Sequence, residues 1–451
     1  MKNIIYTSGL LIASVSLFVG CKPNLKIPTP SKGSIDATRY VAVGNSITSG
    51  FADGALYYNG QLAAYPNLIA QQFKLIGGGN FNQPLMSQTS IGVGSTGNAP
   101  FILGYSTDCL GVNSLGPVPV APHGDTLAFY TNIYATQGPF NNMGVPGAKA
   151  ITAVVPGYGN PSNGKGNYNP FFTRMASNPI SASMVSDAML INPTFFSLFI
   201  GNNDVLLYAT NGGASDAITP SAGAVGVGFD ASYNSIVSTL TSNGAKGVIG
   251  NIPDITALPF FTTVPWNGLT LRQGQADSLN AYYINVDTTI KFHAGNNAFI
   301  ISDPSAKNGL RYIKQGELIL LSIPLNDVKC SNMGTLIPIP NQYVLTATEI
   351  SKIQTAVIAY NATIQSVAQA KGLAFVDVNA FLNRTKTGFV YDGITFNAAF
   401  VTGGAFSLDG IHLTPIGNAL LANEFIKSIN ASYGSSIPQL DATKYSGIIF
   451  P

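Results

Sequence analysis

Short apolar runs alternate along the chain with segments whose apolar residues recur every three or four positions. Tyr40-Val41-Ala42-Val43 is an apolar run that breaks at Gly44, which predicts a short buried strand. A small polar turn follows through Asn45, Ser46, Thr48, Ser49 and Gly50. Pro193 to Ile200, PTFFSLFI, is a near-continuous run that predicts a central strand, closed by Gly201-Asn202-Asn203-Asp204. Lys246 to Asn251 and Leu373 to Val378 predict two more strands. Helices fall between them. Tyr65-Pro66 leads into NLIAQQF, where proline suits a first helical turn. Residues 230 to 243 are helical in pattern. Ile350, Ile353, Val357, Tyr360, Ile364 and Val367 form one face of an amphipathic helix, opened by the capping box Thr346 to Glu349. Thr414-Pro415 caps a last helix that carries Ile416, Leu420, Leu421, Phe425 and Ile426 on one side. Strands alternating with helices predict an α/β fold on a doubly wound, mostly parallel sheet.

Two long stretches interrupt this rhythm. Approximately 75–140 and 259–340 are irregular and rich in Gly, Asn, Pro and Ser. Both read as loop-rich insertions in one domain, the first suited to walling a crevice and the second distinguished from a separate domain because the pattern resumes after it. Gly92-Val93-Gly94-Ser95-Thr96-Gly97 matches GxGxxG in letters. It neither follows an apolar strand nor opens a helix, so it reads as a loop and not as a dinucleotide site. Asn142 to Ala150, NMGVPGAKA, reads as a glycine-bearing turn.

Composition supports a large core. Of 451 residues, 46% are hydrophobic and only 9% charged, and the formal net charge is +2. No basic cluster marks a nucleic-acid face. The chain opens on Lys2 and an apolar segment from Ile4 to Val19, short for a membrane span and suited to a signal. Leu17-Phe18-Val19-Gly20-Cys21 resembles a bacterial lipobox, although Phe18 stands where Leu, Val or Ile is preferred. The resemblance implies a signal peptide over 1–20, cleavage before Cys21 and lipidation of that cysteine. Residues 21–36 then read as a Pro, Lys and Ser-rich tether, with the folded domain at 37–451. Lys22, in place of aspartate after the cysteine, points to anchoring in the outer membrane of a bacterial cell envelope. Cys109 and Cys330 remain. In an oxidising compartment they can close one disulfide or stay as two buried thiols, and the sequence does not choose. No CxxC or His/Cys cluster suggests a structural zinc site.

Four separated pieces carry candidate chemistry: Gly44-Asn45-Ser46, Gly144 to Gly147, Gly201 to Asp204, and Asp409-Gly410-Ile411-His412. Acyl transfer needs a hydroxyl, a base, an orienter for the base and donors for an oxyanion. Ser46 supplies the hydroxyl just past a strand end. His412 is the base, with Asp409 three residues earlier to hold its Nδ1 proton. Of the other histidines, His123 sits in a Pro/Gly loop and His293 has no nearby acid. The Ser46 N–H, the Gly147 N–H and the Asn203 side-chain amide are the candidate oxyanion donors, with Gly144 a weaker alternative to Gly147.

GNSI, NMGVPG, GNND and DGIH, in that order, resemble the sequence blocks of the SGNH (GDSL-type) hydrolases. The resemblance spans Gly44 to His412. It implies a flavodoxin-like three-layer α/β/α sandwich, a catalytic triad of Ser46, Asp409 and His412, and an oxyanion hole of Ser46, Gly147 and Asn203. One position departs from the family, because Asn45 stands where an acidic residue usually precedes the serine. No cofactor is implied. The expected activity is that of a serine esterase or acylhydrolase with a lipase-like substrate, working through an acyl-enzyme. A carbohydrate O-acetyl esterase is the alternative, and a non-catalytic envelope lipoprotein that binds ligand in an inherited crevice is the rival of a different class. Expected partners are the ester substrate, lipid or acylated glycan, and the membrane through Cys21. The aromatic residues Phe51, Tyr57, Tyr58, Phe260, Phe261 and Trp266 either line the substrate groove or pack against the core.

Overall fold

The computed structural model describes residues 29–451. The signal segment, Cys21 and the tether up to residue 28 lie outside the described residues. The apolar runs become the strands of one parallel sheet: β1 (Tyr40–Gly44), β2 (Asn142–Gly144), β3 (Phe195–Phe199), β4 (Lys246–Gly250) and β5 (Ala374–Val376). Their order across the sheet is β5-β4-β3-β1-β2, and every pairing is parallel. That order is flavodoxin-like. β1 and β3 are buried at every position, as near-continuous apolar runs in a doubly covered sheet should be.

Six helices matter here: α1 (Ser46–Ser49), α2 (Tyr65–Lys74), α3 (Asn203–Ala209), α4 (Phe229–Leu240), α5 (Ala347–Ala370) and α6 (Pro415–Tyr433). α2 packs on α6, and α4 packs on α5, so the sheet is flanked by helices and the architecture is an α/β/α sandwich. The caps follow the sequence. Glu349 accepts the Thr346 N–H at 3.2 Å, and Thr414 Oγ1 accepts the Gly417 N–H at 3.2 Å. The buried face of α5 carries Ile353, Val357, Tyr360, Ile364 and Val367.

Three stretches are more ordered than their sequence suggests. The turn expected at Asn142 contains strand β2 at the sheet edge. The first insertion holds an antiparallel hairpin, Phe101–Thr107 with Asn113–Pro119. The second holds a helix, Gln273–Tyr283, and two small cores of its own, one around Tyr283, Ile290 and Ile300 and one around Phe299, Ile301 and Ile339. Cys109 at the hairpin tip and Cys330 in the second insertion form a disulfide across 221 residues. The Lys329–Asp108 ion pair, at 2.7 Å, lies beside it.

In this sheet order the chain reverses direction at β1 and β3. The crevice beyond their carboxyl ends is where such folds bind ligands. Ser46 follows β1 and Asn202 follows β3, so both stand at that switch point.

Candidate active site

Ser46 is the first residue of a single helical turn. Gly44 lets that turn fold back on β1, since a Cβ there would come within 2.0 Å of Thr48 Oγ1 and 2.5 Å of the Phe199 carbonyl. Asn45 caps the turn, its side-chain oxygen accepting the Ile47 N–H at 3.2 Å. The capping role at this position therefore needs an oxygen and not a charge. The Ser46 N–H lies in the first turn, where no intrahelical acceptor exists.

His412 sits in a tight loop between Ser407 and Leu413. Ser407 donates its N–H to the His412 carbonyl at 2.8 Å, and Gly410 turns the chain at φ 71°. The imidazole lies between two partners, with Nε2 2.8 Å from Ser46 Oγ and Nδ1 2.8 Å from Asp409 Oδ2. A carboxylate facing Nδ1 assigns the ring proton to that nitrogen, so Nε2 is the atom free to accept the serine proton. The Phe51 ring packs 4.8 Å from the imidazole and limits its freedom to turn. Ser46 and His412 are 8% and 9% exposed, enough for a reactant to reach them from one side.

Asp409 is held from several directions. Its Oδ1 accepts the N–H groups of Ile411 and His412 at 2.9 Å each and the Ser407 hydroxyl at 3.1 Å, while Oδ2 accepts the Gly54 N–H at 2.9 Å. Burial alone would raise the carboxyl. The His412 charge and these hydrogen bonds outweigh it and hold Asp409 well below the usual carboxylate range. Asp409 therefore stays ionised around neutral pH.

A residue that motif reading missed stands behind this arrangement. Asp53 adopts φ 53°, uncommon for a residue with a side chain. Its N–H donates to Ser407 Oγ at 3.0 Å, its Oδ1 accepts the Leu408 N–H at 3.0 Å and its Oδ2 accepts the Tyr57 hydroxyl at 2.7 Å. Asp53 and Gly54 thus clamp the Asp409 loop from a distant part of the chain. Burial raises the Asp53 carboxyl, and the nearby Asp409 charge adds to the rise. The Asp-Gly dipeptide in FADG was the available signal, since it marks a turn.

The candidate donors are distributed unequally. Asn203 lines the cleft with Ser46 and His412, and its amide donates to the Ala148 carbonyl at 2.9 Å with one of two protons. Gly147, one residue before Ala148, has φ 80° and an N–H without a partner among the described residues. It borders a separate groove, walled also by Lys149, Tyr158 and Asn169, and does not line the cleft that holds Ser46. Gly144 is unavailable, because Asn142 Oδ1 accepts its N–H at 2.9 Å. Asn202 Oδ1, also on the cleft wall, is buried without a partner.

The cleft is a narrow slot with a cavity volume of about 20 Å³, lined beyond the polar end by Ile47, Leu206, Pro253, Ile255, Leu258, Leu382, Phe406 and Ile411. None of the six aromatic residues singled out in sequence lines it. Phe261 is buried in the core, and Trp266 packs against the small core around Phe299. His293 is exposed, with Nδ1 2.9 Å from the Ala294 carbonyl.

No protein-family model matches the chain, and no curated protein matches it in sequence. Among solved structures it is similar to a lipase/acylhydrolase from Enterococcus faecalis, at 11% identity and a TM-score of 0.31, over 89% of this chain and 98% of that one. It is also similar to an extracellular lipase from Streptomyces rimosus, at 13% identity and a TM-score of 0.28, over 87% of this chain and 98% of that one. The fold class stands on the sheet order and not on these likenesses.

Proposed function

We propose that the chain is a serine hydrolase of the SGNH type that cleaves carboxylic esters. The observation that carries this reading is the unbroken line from Ser46 Oγ through His412 to Asp409, two contacts of 2.8 Å each. His412 Nε2 takes the Ser46 proton as Oγ attacks the ester carbonyl. The Ser46 N–H and the Asn203 amide, which share the cleft, stabilise the oxyanion, with the Gly147 N–H as a third candidate from the neighbouring groove. Removal of one such donor typically lowers the rate by ~10²–10³. His412 then returns the proton to the leaving alcohol, and water releases the acid from the acyl-enzyme.

The apolar lining, Ile255, Leu258, Leu382 and Phe406 among it, favours an apolar acyl group over acetate, so an acylhydrolase with a lipase-like preference is the leading reading. A fluorophosphonate probe should label the wild type and leave Ser46→Ala unlabelled, and hydrolysis of p-nitrophenyl esters should rise from acetyl to longer chains. An unlabelled wild type would favour a binding protein instead. We further propose anchoring through a lipid on Cys21 in the outer membrane. Cys21→Ala should move the protein out of the membrane fraction.

A further inference from the structure

Asn45, Asn202 and Asn203 all line the cleft with Ser46 and His412. Two of them are committed elsewhere. The Asn45 side-chain oxygen accepts the Ile47 N–H at 3.2 Å, and the Asn203 amide donates to the Ala148 carbonyl at 2.9 Å. Asn202 is only 4% exposed, yet its Oδ1 is buried without a partner and its amide nitrogen enters no hydrogen bond among the described residues. Buried polar side chains are ordinarily paired, so this one needs an explanation. The fold does not supply it. Asn202 stands at the head of α3 with helical angles, φ −57° and ψ −42°, and its side chain caps no N–H. Asparagine in a helical turn is chiefly of use as a cap, and an aliphatic residue of the same size would fill this place without stranding a polar group.

The faces of α3 say which part of a substrate Asn202 meets. Side chains four apart on a helix share a face. Leu207, four after Asn203, lines the groove beside Gly147, and the Asn203 amide reaches Ala148 on that side. Leu206, four after Asn202, lines the cleft. Asn203 thus turns toward the end of β2, and Asn202 toward the apolar wall that follows β4, with Pro253, Ile255 and Leu258. That wall is the one assigned above to the acyl group. The described residues of the cleft lining include no carboxylate, lysine or arginine, so a charged substituent would meet no counter-charge there. A carboxamide has both a donor and an acceptor, and a hydroxyl can answer either one, whichever way the amide is turned.

We infer that Asn202 is a specificity-determining residue, and that the otherwise apolar acyl group it selects carries a hydroxyl on carbon 2 or 3. The inference rests on the ester-hydrolase reading of Ser46. The slot, about 20 Å³ in volume, keeps its walls against the first carbons of the acyl chain, which is where the amide and the hydroxyl pair. The chemistry at Ser46 is that given above. The bond from the acyl carbon to Oγ forms, the bond to the alcohol oxygen breaks, and the alcohol leaves with the proton carried by His412.

The test compares p-nitrophenyl butyrate with the p-nitrophenyl esters of (R)- and (S)-2-hydroxybutyrate and of (R)- and (S)-3-hydroxybutyrate, which share its leaving group and chain length. Each kcat/KM is divided by the rate of hydroxide-catalysed hydrolysis of the same ester, which removes the effect of the hydroxyl on the carbonyl itself. On that scale the wild type should favour at least one hydroxy ester over butyrate by about tenfold, the size of one hydrogen bond. The preference should disappear in Asn202→Leu, which keeps the volume, and in Asn202→Ala, which places no branched chain in the cleft. A role in the fold alone would lower all the esters together and leave their ratios unmoved. A wild type that takes a fluorophosphonate label but prefers no hydroxy ester overturns this inference alone. So does a preference that survives either substitution, and so do equal losses on every ester, the pattern of a general oxyanion donor. A wild type that cleaves none of these esters and takes no label overturns the ester-hydrolase reading, and this inference with it.

Discussion

The Gly54 N–H donates to Asp409 Oδ2 at 2.9 Å, joining positions 355 residues apart in the chain. That oxygen also faces His412 Nδ1, so a backbone group in the loop after β1 helps to set the direction of the carboxylate. Gly54 has φ 77°, and a Cβ there would approach the Phe101 ring to 2.9 Å. Gly54→Ala should therefore displace the donor. We expect kcat to fall by roughly 10–100-fold with KM little changed, the pattern of an interaction needed mainly in the transition state. Steady-state kinetics on a p-nitrophenyl ester decides this, and an unaltered kcat would remove the clamp from the mechanism.

Asp204 gives a pH test of stability. It is fully buried just after Asn203, and its Oδ2 accepts the Ala150 N–H at 2.7 Å. Burial pushes its carboxyl up to about 6, against the weaker pull of the Ala150 N–H and the Thr219 hydroxyl. Asp204 Oδ1 and Thr219 Oγ1 both lack a well-formed hydrogen bond. An acid whose pKa is raised on folding holds its proton more tightly in the native state. Its stabilising share is thus complete below the unfolded value of 3.8 and is lost as pH rises through about 6. Asp204→Asn removes that loss, and the new amide can donate toward Thr219. Relative to wild type, the variant's Tm should improve between pH 4 and pH 7.5. A Tm difference that stays constant over this range would contradict the assignment.

Under the proposed esterase function, the cleft wall would set acyl length. Leu258, at 6% exposure, lines it among Ile255, Leu382 and Phe406. Leu258→Trp fills space that an acyl chain would occupy. Its kcat/KM should drop by about 10–200-fold per excluded methylene for longer p-nitrophenyl esters, with acetate much less affected. Equal losses across all chain lengths would mean that the acyl group lies elsewhere.

The disulfide joins two surface insertions and closes a long loop, 221 residues apart in sequence. In the chain-entropy view such a closure contributes at most about 5 kcal/mol, through the unfolded state. The Cys109→Ser/Cys330→Ser double variant should melt several degrees below wild type and lose the sensitivity of Tm to reductant. Identical melting of wild type with and without reductant would show that the bond contributes nothing.

Much of this was legible in the chain. β1 and β3 are buried at every position, β4 at all but Lys246 and β5 at all but Phe375, and so they write themselves as apolar runs. β2 is a three-residue edge strand with Met143 as its only large apolar residue, and it reads as a turn. The hairpin in the first insertion left no alternating signal because neither face is buried throughout: Ile102 is 50% exposed and Tyr105 is 65% exposed. The helix Gln273–Tyr283 buries only Ala276, Leu279 and Tyr283, too few for a clear period. Ser46, Asp409 and His412 stood out because each lies in a short motif with a chemical reason. Asp53 did not, because its contribution comes from a positive φ and from contacts with Ser407 and Leu408 far along the chain. The cleft wall was hidden for the same reason, being assembled from segments at 206, 253–258, 382 and 406–413.

The Cys109–Cys330 bond also fixes the molecule's covalent topology. It makes the chain a closed ring with two tails. Gly147 and Asn203 lie within the ring, Ser46 on the tail before it, and Asp409 and His412 on the tail after it. A protease that cuts once between positions 109 and 330 opens the ring but frees no fragment. Ser46 and His412 remain parts of one covalent molecule through the sulfur bridge, and only reduction then separates the serine from the histidine.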